Sequence, residues 1–318
     1  MRIATVVVRV VDGQGAPVAG LGPAELPSPE ELLAEMAAEK AGAAGGEASA
    51  EVAPPPAPAA GADGKLVLFF VQADINSPQV RTKGHLLSLP YVRDFLDGLP
   101  LADRVAVVSF DSHLKLRLDF TRDRAAAADA VLDAIKFGSK APLLRDRGPV
   151  SLATRFDAAA AVDAASPERA LELAARSLFD LPGEKVIVYL GWGLGRYGKG
   201  GVTMTPDYAP AVQALEAARA SVFVLDVTEA SSHSLEVGLQ RVAAESGGTY
   251  GRMSGFPAQA AARLARTISG HYVLTLDGDT VPDAGKVRIE VRKRGSEVLA
   301  RPLVVTTTTE GQRRGDGG

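Results

Sequence analysis

The chain opens on a short alternating run and then changes to apolar blocks separated by helix-period segments. Residues 3–11 (IATVVVRVV) are β-branched and roughly alternate in polarity, and a Gly-Gln-Gly-Ala-Pro turn follows, which predicts a strand. Ser28-Pro29-Glu30-Glu31 offers a capping hydroxyl, a first-turn proline and acids at the positive end of the dipole, so a short helix is expected to about Lys40. Residues 41–64 are mostly Ala, Gly, Pro and Glu. Such a stretch buries too little apolar surface to offset its ordering entropy and reads as a linker.

From Lys65 onward strands and helices alternate, the pattern of a mostly parallel sheet covered on both faces. Strands are expected at 66–71, 104–110, 114–120, 185–190, 221–225 and 249–253. The stretch 114–120 alternates cleanly and suits an antiparallel edge strand with one solvated face. Helices are expected at 85–99, with Leu86, Leu89, Val92, Phe95 and Leu96 on one side, and at 123–137, 166–179, 205–220, 234–245 and 258–269. Residues 137–157 and 191–204 read as irregular loops. Alternating segments at 271–276, 286–292 and 297–305 complete the chain. The organisation predicted is therefore an N-terminal strand and helix (1–40), a linker (41–64), an α/β domain (65–270), C-terminal strands that pack with the N-terminal one (271–310) and a fraying tail (311–318).

Composition narrows the function classes. A net charge of -3 and a pI near 5.9 give no electrostatic footprint for nucleic acid or an anionic membrane. No apolar stretch is long enough to span a bilayer, so no membrane insertion is expected. The absence of cysteine excludes disulfides, thiolate metal sites and a thiol nucleophile. Arg9 interrupts the N-terminal apolar run and no small-residue cleavage site follows before Asp12, so this run reads as a strand and no signal peptide is expected here.

The most telling stretch is the apolar block 66–71, which ends in Gln72-Ala73-Asp74-Ile75-Asn76-Ser77. A buried parallel strand that delivers a carboxylate to the C-terminal rim of a doubly wound sheet has this form. Several stretches together carry a resemblance. They are Val10-Val-Asp-Gly-Gln-Gly-Ala-Pro-Val-Ala-Gly-Leu21, the Asp74 strand, Asp103-Arg-Val-Ala-Val-Val-Ser-Phe110 with Asp119-Phe-Thr-Arg-Asp123, Val224-Leu-Asp226 with Ser246-Gly-Gly-Thr-Tyr250, and Gly285-Lys-Val-Arg-Ile-Glu-Val with Ala300-Arg301. In this order they resemble a von Willebrand factor A domain, and more narrowly the bacterial von Willebrand A-related proteins that carry an extra strand module. The resemblance implies a Rossmann-like, doubly wound α/β fold with one antiparallel edge strand, a small accessory β module, and an exported or periplasmic protein.

It also implies a site to test. Members of the family often hold Mg²⁺ or Mn²⁺ between a strand-end Asp-x-Ser-x-Ser, a threonine of a second loop and an aspartate of a third. Carried over to this chain, Asp74 stands at the aspartate, Asn76 at the first serine and Pro78 at the second, with Ser77 beside it. Thr154 is the second-loop candidate, one residue out of step, and Trp192 stands where the third-loop aspartate belongs. A hard dication needs near-octahedral oxygen coordination, so this set predicts a degenerate site. Asp74 would otherwise cap the segment after it.

Other chemistry is thinner. Gly191-Trp-Gly-Leu-Gly-Arg-Tyr-Gly-Lys-Gly-Gly201 after a buried strand invites a nucleotide- or phosphate-binding reading, but no dinucleotide or Walker spacing is present. Asp111-Ser112-His113 has the residues of a relay, yet neighbours in a turn are expected to diverge. The four histidines show no i, i+4 ligand spacing. Asp226 is expected to cap the segment after its strand. The function expected is non-enzymatic: recognition of a protein or peptide at the C-terminal rim, through Asn76, Ser77, Trp192, Arg196 and Tyr197. The alternatives are metal-dependent adhesion through Asp74, Asn76 and Thr154 with Mg²⁺ or Mn²⁺, and nucleotide binding by the 191–201 loop.

Overall fold

The structure, a computed structural model, describes residues 3–19, 21, 64–74, 78–138, 140–143, 150–230, 232–277, 286–287, 295–300 and 303–304. The helix expected to Lys40, the linker apart from Gly64, the tail, and Asn76 and Ser77 lie outside the described residues. The elements run β1 (Ile3–Asp12), β2 (Leu66–Gln72), α1 (Pro78–Asp97), β3 (Arg104–Phe110), β4 (Leu114–Thr121), α2 (Arg124–Ile135), α3 (Ala158–Val162), α4 (Pro167–Leu178) and β5 (Lys185–Gly191). They continue with β6 (Arg196–Gly198), β7 (Gly201–Thr203), α5 (Tyr208–Ala218), β8 (Ala220–Asp226), α6 (Glu236–Ser246), β9 (Tyr250–Arg252), α7 (Pro257–Ile268), β10 (Tyr272–Asp277), β11 (Lys286–Val287), β12 (Ser296–Ala300) and β13 (Leu303–Val304).

The central sheet has six strands in the order β4-β3-β2-β5-β8-β9. All pairings are parallel except β3 with β4. Strands β2, β5 and β8 are buried along their whole length, because both of their faces are covered by helices. Leu68, Phe70, Ile187, Tyr189, Val222 and Val224 pack on one side with Leu171 of α4, Leu215 of α5 and Leu239 of α6. Val67, Phe69, Val188, Phe223 and Leu225 pack on the other with Val92, Phe95 and Leu96 of α1, Val131 of α2 and Leu264 of α7. The fold is thus a doubly wound, mostly parallel α/β sheet with one antiparallel edge strand, as the resemblance implied.

Helix starts follow the capping residues. Asp123 accepts from the Ala126 amide at 2.9 Å and Ser166 from the Arg169 amide at 3.1 Å. Three expectations are corrected. Helix α1 starts seven residues earlier than expected, at Pro78, and turns His85, Ser88, Val92, Phe95 and Leu96 inward while Leu86 is exposed. The stretch 191–204 is not irregular: β6 and β7 form a short antiparallel hairpin there. Strand β4 has no solvated face, since Arg117 and Asp119 are buried and Leu143 bridges to the strand through Asp119 N to Leu143 O (3.1 Å) and Leu143 N to Arg117 O (3.2 Å).

Strand β1 is the centre of a second sheet, paired antiparallel with β10 and β12. It docks at the N-terminal edge of the main sheet through a buried cation. Arg9, 1% exposed, pairs with Glu184, donates to Ser221 Oγ at 3.1 Å, and lies 5.0 Å over the Phe223 ring. His271 Nδ1 sits 2.9 Å from the other Glu184 oxygen, just ahead of β10. The turn after β1 meets α7, where Arg266 and Thr267 donate to the carbonyls of Gln14 and Gly15.

Two predictions follow from this junction. Arg9→Met leaves a buried carboxylate without its cation, and the loss of stability should be about 3 kcal/mol in urea unfolding; a loss under about 1 kcal/mol would refute the pairing. Burial by itself raises the Glu184 pKa, but His271 and Arg9, with Lys65 nearby, hold it below the ordinary 4.5. A folded value below the unfolded one stabilises above about pH 4.5, and the gain fades as the pH falls through the folded value. Glu184→Gln should therefore be less stable than wild type at neutral pH, with the gap narrowing as the pH falls below 4.5. A gap that stays constant over that range would contradict the assignment.

Candidate functional site

The C-terminal ends of β2, β3, β5, β8 and β9 converge on one rim. Parallel strands leave amides and carbonyls unpaired there, and side chains have to meet them. Gln72, 1% exposed at the end of β2, accepts from the Trp192 amide at 3.0 Å and the Gly193 amide at 3.1 Å. That close fit explains glycine at 191, where a Cβ would lie 2.6 Å from Gln72 Oε1 and 2.4 Å from the Tyr189 ring. Gln72 thus holds the loop after β5 in place, a role sequence reading missed because glutamine at a strand end carries no distinctive pattern.

The indole Nε1 of Trp192 donates to Asp74 Oδ1 at 2.9 Å. The first and third candidate positions therefore do meet, but as donor and acceptor. The phenol of Tyr189 is fully buried below this pair, with no hydrogen-bond partner among the described residues. Burial pushes its pKa well above the ordinary value, and the Asp74 and Glu168 carboxylates push it further. Glu168, at the start of α4, is itself engaged by the Gly195 amide at 2.7 Å.

Thr154 lies in a turn of its own loop. Its hydroxyl donates to the Ser151 carbonyl at 3.0 Å, within a turn fastened by buried Asp119. Asp119 accepts from Ser151 Oγ, the Leu152 amide (both 2.5 Å) and the Ala153 amide (3.3 Å). Its neighbour Leu118 is paired with Val107, whereas Ala73, next to Asp74, bonds to Phe110. Arg196 and Tyr197 lie on the β6–β7 hairpin, and Tyr197 is 71% exposed. Val237 at the start of α6 and Phe256 at the start of α7 are exposed on the same rim, a feature invisible to periodicity because both precede or open their helices.

The Asp111-Ser112-His113 turn corrects an expectation. The neighbours do not diverge: Ser112 Oγ lies 3.1 Å from Asp111 Oδ1 and 3.0 Å from His113 Nδ1. The hydroxyl bridges both groups, while Asp111 Oδ1 is 4.0 Å from the same imidazole nitrogen and Lys115 holds Oδ2 at 2.5 Å. Among the described residues no carboxylate is paired with the far ring nitrogen, so the geometry shown is that of a turn clasp.

Asp226 at the end of β8 is more than the cap expected. It is completely buried and accepts from the Thr228 amide at 2.9 Å, the Thr228 hydroxyl and the Tyr250 phenol at 2.6 Å, with His233 Nε2 at 2.7 Å. Burial opposes its charge, but His233, Thr228 and Tyr250 outweigh that and hold its pKa below the usual carboxylate range. Arg252 of β9 donates to Glu236 at 2.7 Å beside this group. The spacing His233-x-x-Glu236 was the available signal in the sequence.

No protein-family model matches the chain, and no curated protein does. Among solved structures, the conserved hypothetical protein BatB from Bacteroides thetaiotaomicron is 17% identical, with 64% of this chain and 97% of that one covered and a TM-score of 0.41. An aerotolerance-related membrane protein from Bacteroides fragilis is also 17% identical over 64% of this chain and 98% of its own, at a TM-score of 0.43. A von Willebrand factor type A protein from Catenulispora acidiphila is 17% identical, covering 64% of this chain and 42% of that one, at 0.42. These likenesses are of fold.

The Trp192–Asp74 bond is testable by itself. Trp192→Phe keeps most of the ring packing and removes the donor, so stability should fall by about 1.5 kcal/mol, read by circular dichroism in urea because no other tryptophan is present. A change under about 0.3 kcal/mol would show that the bond contributes nothing.

Proposed function

We propose that this protein is a non-enzymatic recognition module that docks a protein or peptide at the C-terminal rim of its sheet, without a competent metal grip at Asp74. One observation carries the reading: the Trp192 indole N–H occupies the Asp74 carboxylate. A divalent ion of the family kind needs several hard oxygens and an open coordination position. Here the third position supplies an indole donor, which cannot ligate a cation. This donor set does not suit Mg²⁺ or Mn²⁺.

What remains suits a dry partner surface. Tyr197, Phe256 and Val237 present apolar area from three elements, with Arg196 next to Tyr197. Aromatic and arginine side chains of this kind supply most of the energy in protein interfaces. The glycine-rich loop folds as a hairpin, and α5 opens only at Tyr208, so the loop does not aim a helix N-terminus at a phosphate.

Arg196→Ala/Tyr197→Ala should leave thermal unfolding unchanged and abolish capture of a partner that wild type retains from an extract of the source organism. Equal recovery by both proteins would sink the rim assignment. Calorimetry with Mg²⁺ should give no saturable heat; a stoichiometric ion lost on Asp74→Ala would restore the adhesion reading.

A further inference from the structure

We propose that Asp226, His233 and Glu236 form a binding site for a divalent transition-metal ion, of the Zn²⁺ class, on the same rim but separate from Asp74. Each of the three residues offers one ligand atom, and these atoms all lie within 4.8 Å of one another. Two carboxylate oxygens and one imidazole nitrogen are a three-ligand set that leaves a coordination position open. The nitrogen selects for Zn²⁺, Co²⁺ or Ni²⁺ over Mg²⁺ and Ca²⁺.

The ligands come from different elements, and each is oriented by a neighbour. Asp226 ends β8 with its Oδ1 fixed by the Thr228 amide and hydroxyl, which aims Oδ2 at His233 Nε2. The Tyr250 phenol on β9 braces that same oxygen at 2.6 Å. Glu236 opens α6 and is held by Arg252 at 2.7 Å. Partners of this kind set the direction and basicity of metal ligands. The 2.7 Å contact between His233 Nε2 and Asp226 Oδ2 is a hydrogen bond in the unliganded state. An ion bound to both atoms replaces that proton and requires them about 3.2 Å apart, given bonds of about 2.0–2.1 Å. His233 lies in the connection between β8 and α6.

Charge favours the ion as well. Two carboxylates balance a dication, and Asp226 is completely buried with neither lysine nor arginine among its hydrogen-bond partners. Arg252 is the competing cation, and its side chain is one-third exposed beside Glu236 and Tyr250. Strand β5 separates β8 from β2, which puts Asp226 two strand spacings, about 10 Å, from the Asp74 strand.

The test is Zn²⁺ titration of the EDTA-treated full chain by calorimetry, with Co²⁺ absorption as a spectroscopic probe. One equivalent should bind at micromolar affinity or better, and Co²⁺ should develop a visible band that Zn²⁺ removes. His233→Ala and Glu236→Gln should each weaken binding by about 100-fold or more, while Asp74→Ala leaves it unchanged. Thermal unfolding of the three variants without metal checks that each is folded. Absence of saturable Zn²⁺ binding to wild type would overturn the site, and so would binding that survives His233→Ala in a folded protein or disappears with Asp74→Ala.

Discussion

Fully buried parallel strands impose one constraint on everything at their ends: backbone groups leaving the ladder have to find acceptors and donors without water. Strands β2, β5 and β8 have no exposed residue, so their loops begin in the dry interior. The chain answers with side-chain acceptors placed just under the rim. Gln72 takes the amides of Trp192 and Gly193, Glu168 that of Gly195, and Asp226 that of Thr228. Asp119 does the same for the turn that holds Thr154. Carboxylates and amides at this edge are therefore structural first, and any binding chemistry is built on groups already committed to holding loops.

The opposite edge of the sheet obeys the same rule with charge. Arg9 comes from one end of the sequence and Glu184 from its middle, and both are nearly excluded from solvent. Ser221 and the Phe223 ring complete the guanidinium's surroundings, and His271 reaches the carboxylate's second oxygen. A buried pair of this kind contributes less as net stability than as specificity, because either charge left alone is expensive. Strand β1 can be replaced at this edge only by a segment that also brings a cation, which fixes the pairing β10-β1-β12 against competitors of similar β propensity.

Elements with strong local signals were legible from sequence. The apolar blocks of β2, β5 and β8, the caps Asp123 and Ser166, and the strand-helix alternation specify a doubly wound sheet from composition and spacing. What was not legible depends on distant partners. Arg9 reads as an interruption of an apolar run because Glu184 is 175 positions away. Leu86 reads as inward because periodicity does not give the absolute phase of a helix, and α1 turns His85 and Ser88 inward in its place. The turn around Thr154 is fastened by Asp119, which is more than 30 positions away in sequence. Asn76 and Ser77 lie outside the described residues, so that part of the rim rests on sequence.

The two strand-end aspartates of the rim differ in what their partners can exchange. Asp74 Oδ1 accepts from an indole N–H, a group with no lone pair to offer a cation. Asp226 faces an imidazole nitrogen, which is a donor while protonated and a ligand once the proton leaves. Within a sheet that places both carboxylates on one edge, the neighbour of each, more than the carboxylate itself, sets the chemistry open to it.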